Sequence, residues 1–114
     1  MIKISYKDVI AVESKQNYVM IHTASKNVLT YMSLIEMSKI LYLHTGFMQF
    51  HRSFIIQALH IESIDNNIIK MANGTTMSVG ECFRKDFMNF LSKKIIKPSQ
   101  KPDHKIGPYP KKTA

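Results

Sequence analysis

The 114-residue chain has one cysteine, Cys82, and four glycines, at positions 46, 74, 80 and 107. A lone cysteine excludes an internal disulfide framework and a thiolate zinc site, and it suits a reducing compartment. The glycines are too scattered to form a glycine-rich phosphate cradle. Apolar stretches are short and broken by Lys, Asn or His, so none approaches the roughly 20 residues that span a bilayer. The opening Met-Ile-Lys-Ile-Ser is no signal peptide, and a cytoplasmic protein without a membrane partner is expected. The five histidines, at 22, 44, 51, 60 and 104, fall into no metal-ligand spacing, and the carboxylates form no acid/base pair. Cys82 beside Phe83 reads as a small packed side chain rather than a nucleophile. No nucleophile, base or metal set emerges, so the expectation is a non-enzyme without metal or cofactor.

Hydrophobic residues at 45% and charged ones at 21% are ordinary globular values, and the length suits one domain with a real core. The formal net charge of +8 suggests a polyanionic partner, but its distribution tempers that. Residues 1–92 hold nine Lys/Arg against seven Asp/Glu, whereas residues 93–114 hold seven Lys against Asp103 alone. The basic character sits mainly in the tail. Charge therefore permits nucleic-acid binding by the folded part without establishing it.

Patterning points to strands first. Ile2–Tyr6 alternates apolar and polar residues, and Asp8–Glu13 follows a turn. Lys15-Gln16-Asn17 belongs to a polar break before the β-branched and aromatic run Tyr18–Thr23. Ala24–Asn27 is a turn, and Val28–Met32 returns. Ser33 then offers an N-cap, with Glu36 three residues on completing a capping box for a helix over Ser33–Tyr42. Phe47–Phe50 leads through His51-Arg52-Ser53 into the apolar Phe54-Ile55-Ile56. Ile61–Ile64 alternates again, Asp65–Asn67 is a turn, and Ile68–Met71 pairs with Thr75–Val79 across a hairpin containing Asn73-Gly74. Phe83, Phe87, Phe90 and Leu91 mark a closing amphipathic helix over Glu81–Lys94. Past it, four prolines (98, 102, 108 and 110) and further lysines leave little to pack, so 95–114 reads as a basic, flexible tail. The folded domain spans 1–94 and is mainly β with one or two short helices.

Three polar clusters could carry binding chemistry: Lys15-Gln16-Asn17, His51-Arg52-Ser53, and Arg84-Lys85 at the start of the last helix. Arg can bridge guanine O6 and N7, Asn and Gln can bridge adenine N6 and N7, and Ser, His and Lys can grip phosphates. His51-Arg52-Ser53 is the least comfortable as a plain loop. Its three polar side chains sit directly between Phe50 and Phe54, so either His51 or Ser53 is a satisfied structural group.

Around this cluster the chain resembles the LytTR family of DNA-binding domains. Asp8–Glu13, Asn17-Tyr18-Val19-x-Ile21-His22-Thr23, Ser33-Leu34, Gly46-Phe47-x-x-Phe50-His51-Arg52-Ser53-Phe54-Ile55-Ile56, His60-Ile61, and Asn73-Gly74 before Val79-Gly80 and Phe83-Arg84-Lys85 occur in order over residues 2–92. The resemblance implies an elongated, antiparallel β fold with a short helix. It further implies loops that enter successive major grooves of double-stranded DNA, read at paired or direct-repeat sites by a homodimer. By position it assigns DNA contact to Lys15, Gln16, Asn17, His51, Arg52 and Ser53 and to the segment from Gly80 into the last helix. Glu81 stands where many members are basic and would repel phosphate, so that contribution passes to Arg84 and Lys85. Gln57 replaces an Asn common after the apolar run. A receiver domain precedes such modules in two-component response regulators. The similarity begins at Ile2, so the expectation is an excised output domain or a regulator lacking a receiver. The alternative is a β-rich module that binds protein or single-stranded nucleic acid without reading duplex sequence; Glu81 and the small charge of residues 1–92 favour it.

Overall fold

A computed structural model describes residues 3–94; the tail read over 95–114 lies outside them. The chain divides into two units, residues 1–84 and residues 85–114. The first contains eight strands: β1 (Val9–Ser14), β2 (Val19–Thr23), β3 (Asn27–Thr30), β4 (Phe47–His51), β5 (Phe54–Gln57), β6 (Ile61–Asp65), β7 (Ile68–Met71) and β8 (Thr76–Ser78). They form a five-stranded sheet in the order β3-β2-β1-β5-β4 and a three-stranded sheet in the order β6-β7-β8. Every pairing is antiparallel, as the sequence pattern and the family resemblance lead one to expect.

β1 is central, and Val9, Ile10, Ala11 and Val12 are all buried, which explains its unbroken apolar run. On one face of this sheet lies α1 (Leu34–Leu41). Its Leu34, Met37 and Leu41 pack with Val9, Val12, Val19, Phe47 and Ile55 in one core cluster. The helix begins where the sequence indicated. Ser33 Oγ accepts from the Glu36 amide at 3.0 Å, and Glu36 Oε1 accepts from the Ser33 amide at 2.9 Å. That reciprocal box satisfies two donors a helix start otherwise leaves open. The smaller sheet alternates as a one-sided sheet should, burying Ile69, Met71 and Met77 and exposing Ile68, Lys70, Thr76 and Ser78. Its hairpin turns on Gly74, at φ +92°, where a side chain would be strained.

The expectations at Ile2–Tyr6 and Cys82 need correction, and the helix expected from Glu81 starts as a 3₁₀ turn and becomes α-helical only at Arg84. The strand read over Ile2–Tyr6 does not form among the described residues: Lys3–Ser5 join no ladder, and Tyr6–Asp8 is a 3₁₀ turn. Ser5 explains it, because its hydroxyl accepts from the Lys7 amide while its carbonyl accepts from the Asp8 amide, closing a local turn in place of a ladder. Cys82 is exposed, not packed. It sits in the 3₁₀ turn Glu81–Phe83, whose half-buried member is Phe83. Gln57 is buried at 5% exposure and donates through Nε2 to the Tyr6 carbonyl at 3.1 Å, tying the N-terminal turn to β5.

The second unit, taken by itself, begins within α2 (Arg84–Lys94). Phe87, Phe90 and Leu91 fall at helical spacing along one face, as expected of an amphipathic segment.

Candidate nucleic-acid interface

Strand register decides which loops are neighbours. β1 ends at Ser14 opposite Val19, the first residue of β2, and Val19 also opposes Thr30 at the end of β3. β5 begins at Phe54, which opposes both Glu13 of β1 and His51 of β4. The loops 15–18, 31–33 and 52–53 therefore leave the same end of the five-stranded sheet. A backbone bond joins two of them: the Ser14 amide donates to the Ser53 carbonyl at 2.7 Å. The segment before α2 reaches the same region, because the Gly80 amide donates to the Phe50 carbonyl at 2.8 Å. Two clusters distant in sequence thus lie side by side, with Gly80–Arg84 beside the end of β4.

The first loop is a tight turn in which the Lys15 amide donates to the Tyr18 carbonyl at 2.9 Å. Gln16 and Asn17 are exposed, and their side chains have no partner among the described residues. Lys15 is exposed but held by Glu13, with Nζ 3.3 Å from Oε2. Glu13 also faces His22 Nε2 at 3.2 Å, and His22 Nδ1 lies 3.2 Å from Asn27 Oδ1.

In the second cluster Arg52 stands exposed at the tip of a two-residue turn, its guanidinium unpaired among the described residues. His51 is half-buried, and its Nδ1 accepts from the Ser53 amide at 3.0 Å. That contact makes His51 a satisfied structural group, one of the two alternatives the sequence left open. Its ring packs edge-on against Phe54, with centroids 5.4 Å apart. In the third cluster Arg84 is exposed and leans on Glu81, Nη2 to Oε1 3.4 Å. Lys85 is exposed and belongs to the second unit.

Tyr31 was hidden in the sequence by the strand expected to run to Met32. β3 ends at Thr30, which leaves Tyr31 in the loop at this end, 78% exposed. Its ring meets Tyr18 edge-on at 6.1 Å. An exposed aromatic directly after a strand is the signal that could have found it.

The arrangement offers unpaired amide and guanidinium groups on short loops between paired strands, the equipment for reading base edges and holding phosphates. Among the described residues no three His, Cys, Asp or Glu side chains group as a metal site. No helix among them is long and apolar enough to cross a membrane. A family model for the LytTr DNA-binding domain matches residues 1–92. The chain belongs to the LytTR family. Its fold is similar to that of the LytTr DNA-binding domain of a protein described as a methyl-accepting/DNA response regulator from Bacillus cereus. That similarity has a TM-score of 0.68 at 24% sequence identity, over 79% of this chain and 86% of the other. No curated relative matches this LytTR domain.

Proposed function

We propose that this LytTR domain reads duplex DNA sequence through loops placed in the major groove, as the output module of a two-component response regulator in the cytoplasm. The observation that carries the reading is the shared end of the five-stranded sheet. Gln16, Asn17 and Arg52 stand there exposed and unpaired, on loops tied by the Ser14–Ser53 bond. Arg52 suits guanine O6 and N7, and Gln16 or Asn17 suits adenine. Lys15, Arg84 and Lys85 supply phosphate contacts, and His51 and Ser53 flank Arg52 as further contacts or supports. The binding domain spans residues 1–94, and the basic tail 95–114 adds non-specific attraction. A receiver domain upstream in a full-length protein is placed there by the family resemblance alone. Binding as a homodimer to paired or direct-repeat sites follows the habit of the family.

Selection from a random duplex library tests this reading. A sequence-specific domain enriches a defined motif, and the spacing of any repeat reports the dimer geometry. The enriched duplex, a scrambled duplex and the matching single strand are then titrated at several salt concentrations. Preferential, salt-dependent binding to the enriched duplex is expected. Failure to enrich any motif, or equal affinity for the enriched duplex, the scrambled duplex and the single strand, overturns the reading.

A further inference from the structure

We propose that Gln49 is a positioning residue for Arg52 and sets how sharply the domain distinguishes its site from other duplex DNA. The inference rests on the reading of Arg52 as a base contact.

The β4–β5 connection is only Arg52 and Ser53, closed by the His51–Phe54 pair. Two-residue hairpins favour turns with positive φ at one or both central residues, because that twist matches the strands. Neither Arg52 nor Ser53 adopts it; among the described residues Asn66 is the only non-glycine with positive φ. A turn of the other hand tends to splay its strands and needs support from outside. Three groups give it. His51 Nδ1 accepts from the Ser53 amide at 3.0 Å, and the Ser14 amide donates to the Ser53 carbonyl at 2.7 Å. Gln49 Nε2 donates to the His51 carbonyl at 3.1 Å and, at a longer 3.4 Å, to the Arg52 carbonyl.

Gln49 reaches the turn through a bulge. Met48 opposes Ile56 and His51 opposes Phe54, so Gln49 and Phe50 together face Ile55 alone. Such a bulge re-aims the side chains of its strand. Both atoms beside the Gln49 amide nitrogen are carbonyl oxygens, so a donor is required there and a pure acceptor is excluded.

The consequence for binding follows from geometry. A bidentate contact to guanine needs the guanidinium fork in one place, whereas a phosphate tolerates a spread of positions. A looser turn costs ordering entropy on the specific site and little elsewhere. Gln49 acts through Arg52 and need not touch DNA.

The test is a double-mutant cycle. Gln49→Met keeps the length of the side chain and removes both donors. Wild type, Gln49→Met, Arg52→Ala and the double variant are titrated with a duplex enriched by this chain and with a scrambled duplex, and thermal unfolding is recorded for each. Gln49→Met is expected to weaken specific binding about 5–10-fold, the scale of lost hydrogen bonds to a rigid element, with scrambled-duplex affinity held within about twofold. In the Arg52→Ala background the same change has no further effect. Amide ¹⁵N relaxation shows increased motion at Arg52 and Ser53. Gln49→Ala serves the same cycle should the Met variant not fold. The positioning role is overturned if Arg52→Ala lowers discrimination while Gln49→Met does not, or if the Gln49→Met penalty persists in full without Arg52. If Arg52→Ala leaves discrimination intact, the base-contact reading itself fails, and the positioning role with it.

Discussion

The Ser14 amide donates to the Ser53 carbonyl across 2.7 Å, so the stem of the first loop and the turn carrying Arg52 are one hydrogen-bonded body. A bond at the rim of a sheet protects its proton only if both partners are held rigidly. The Ser14 amide is therefore expected to exchange with solvent as slowly as the β1 amides beside it. The amides of Gln16 and Asn17, with no acceptor among the described residues, exchange fast. Residue-resolved hydrogen exchange by NMR checks this, and a Ser14 amide as labile as that of Gln16 would mean that the two loops move independently.

Glu81 holds Arg84 at 3.4 Å in a pair open to solvent. Such a pair contributes about 0–1 kcal/mol to stability at most, but its carboxylate opposes approach to phosphate. Glu81→Gln is expected to raise affinity for any duplex about two- to fivefold and to steepen the dependence of log K on log salt. Fluorescence anisotropy across a salt series reads both. Unchanged affinity and slope would remove Arg84 from the interface.

The start of α1 is pH-sensitive. The Ser33 amide bonded to the Glu36 carboxylate, with further help from the Ser33 hydroxyl and Lys39, holds Glu36 below its usual range. A carboxyl depressed in the folded state contributes stability that is present above its unfolded pKa and lost as pH falls through the folded one. Glu36→Ala should therefore lower the urea midpoint near neutral pH, and the gap to wild type should narrow as pH falls below the ordinary carboxylate range. A gap independent of pH would show that the carboxylate charge contributes nothing to the cap.

Ile55 is fully buried between β1 and β4, in the cluster that α1 covers. Ile55→Ala is expected to cost about 2–5 kcal/mol in urea unfolding, the range for a large-to-small core change. A loss under about 1 kcal/mol would mean that the cluster collapses around the cavity.

What the sequence made legible was local. The Ser33–Glu36 box was readable to the atom because donor and acceptor lie three residues apart, and the strands followed from alternation or from unbroken apolar runs. The error at Ile2–Tyr6 has the same origin: period-two alternation was visible, while the competing bonds of Ser5 carry no periodicity. Cys82 beside Phe83 could not reveal which of the two turns inward. The residues nominated for DNA contact were found one cluster at a time, and only strand register brings Lys15–Asn17 beside Arg52. The bulge at Gln49–Phe50, which aims an amide at the Arg52 turn, depends on pairing with Ile55 and has no signature in the local sequence. Net charge misled in its location, since residues 1–92 carry little of it.

Arg52, on a turn fixed to the first loop, is the residue proposed to read a base. The most direct test of that role compares wild type with Arg52→Ala on the selected duplex and on a panel with each base pair of that site changed in turn. A loss of about 1–3 kcal/mol on the selected site and relaxed preference at one base pair are expected, with the remaining preferences kept. Equal affinity of the two proteins for the selected site, with the same preference at every position, would contradict it.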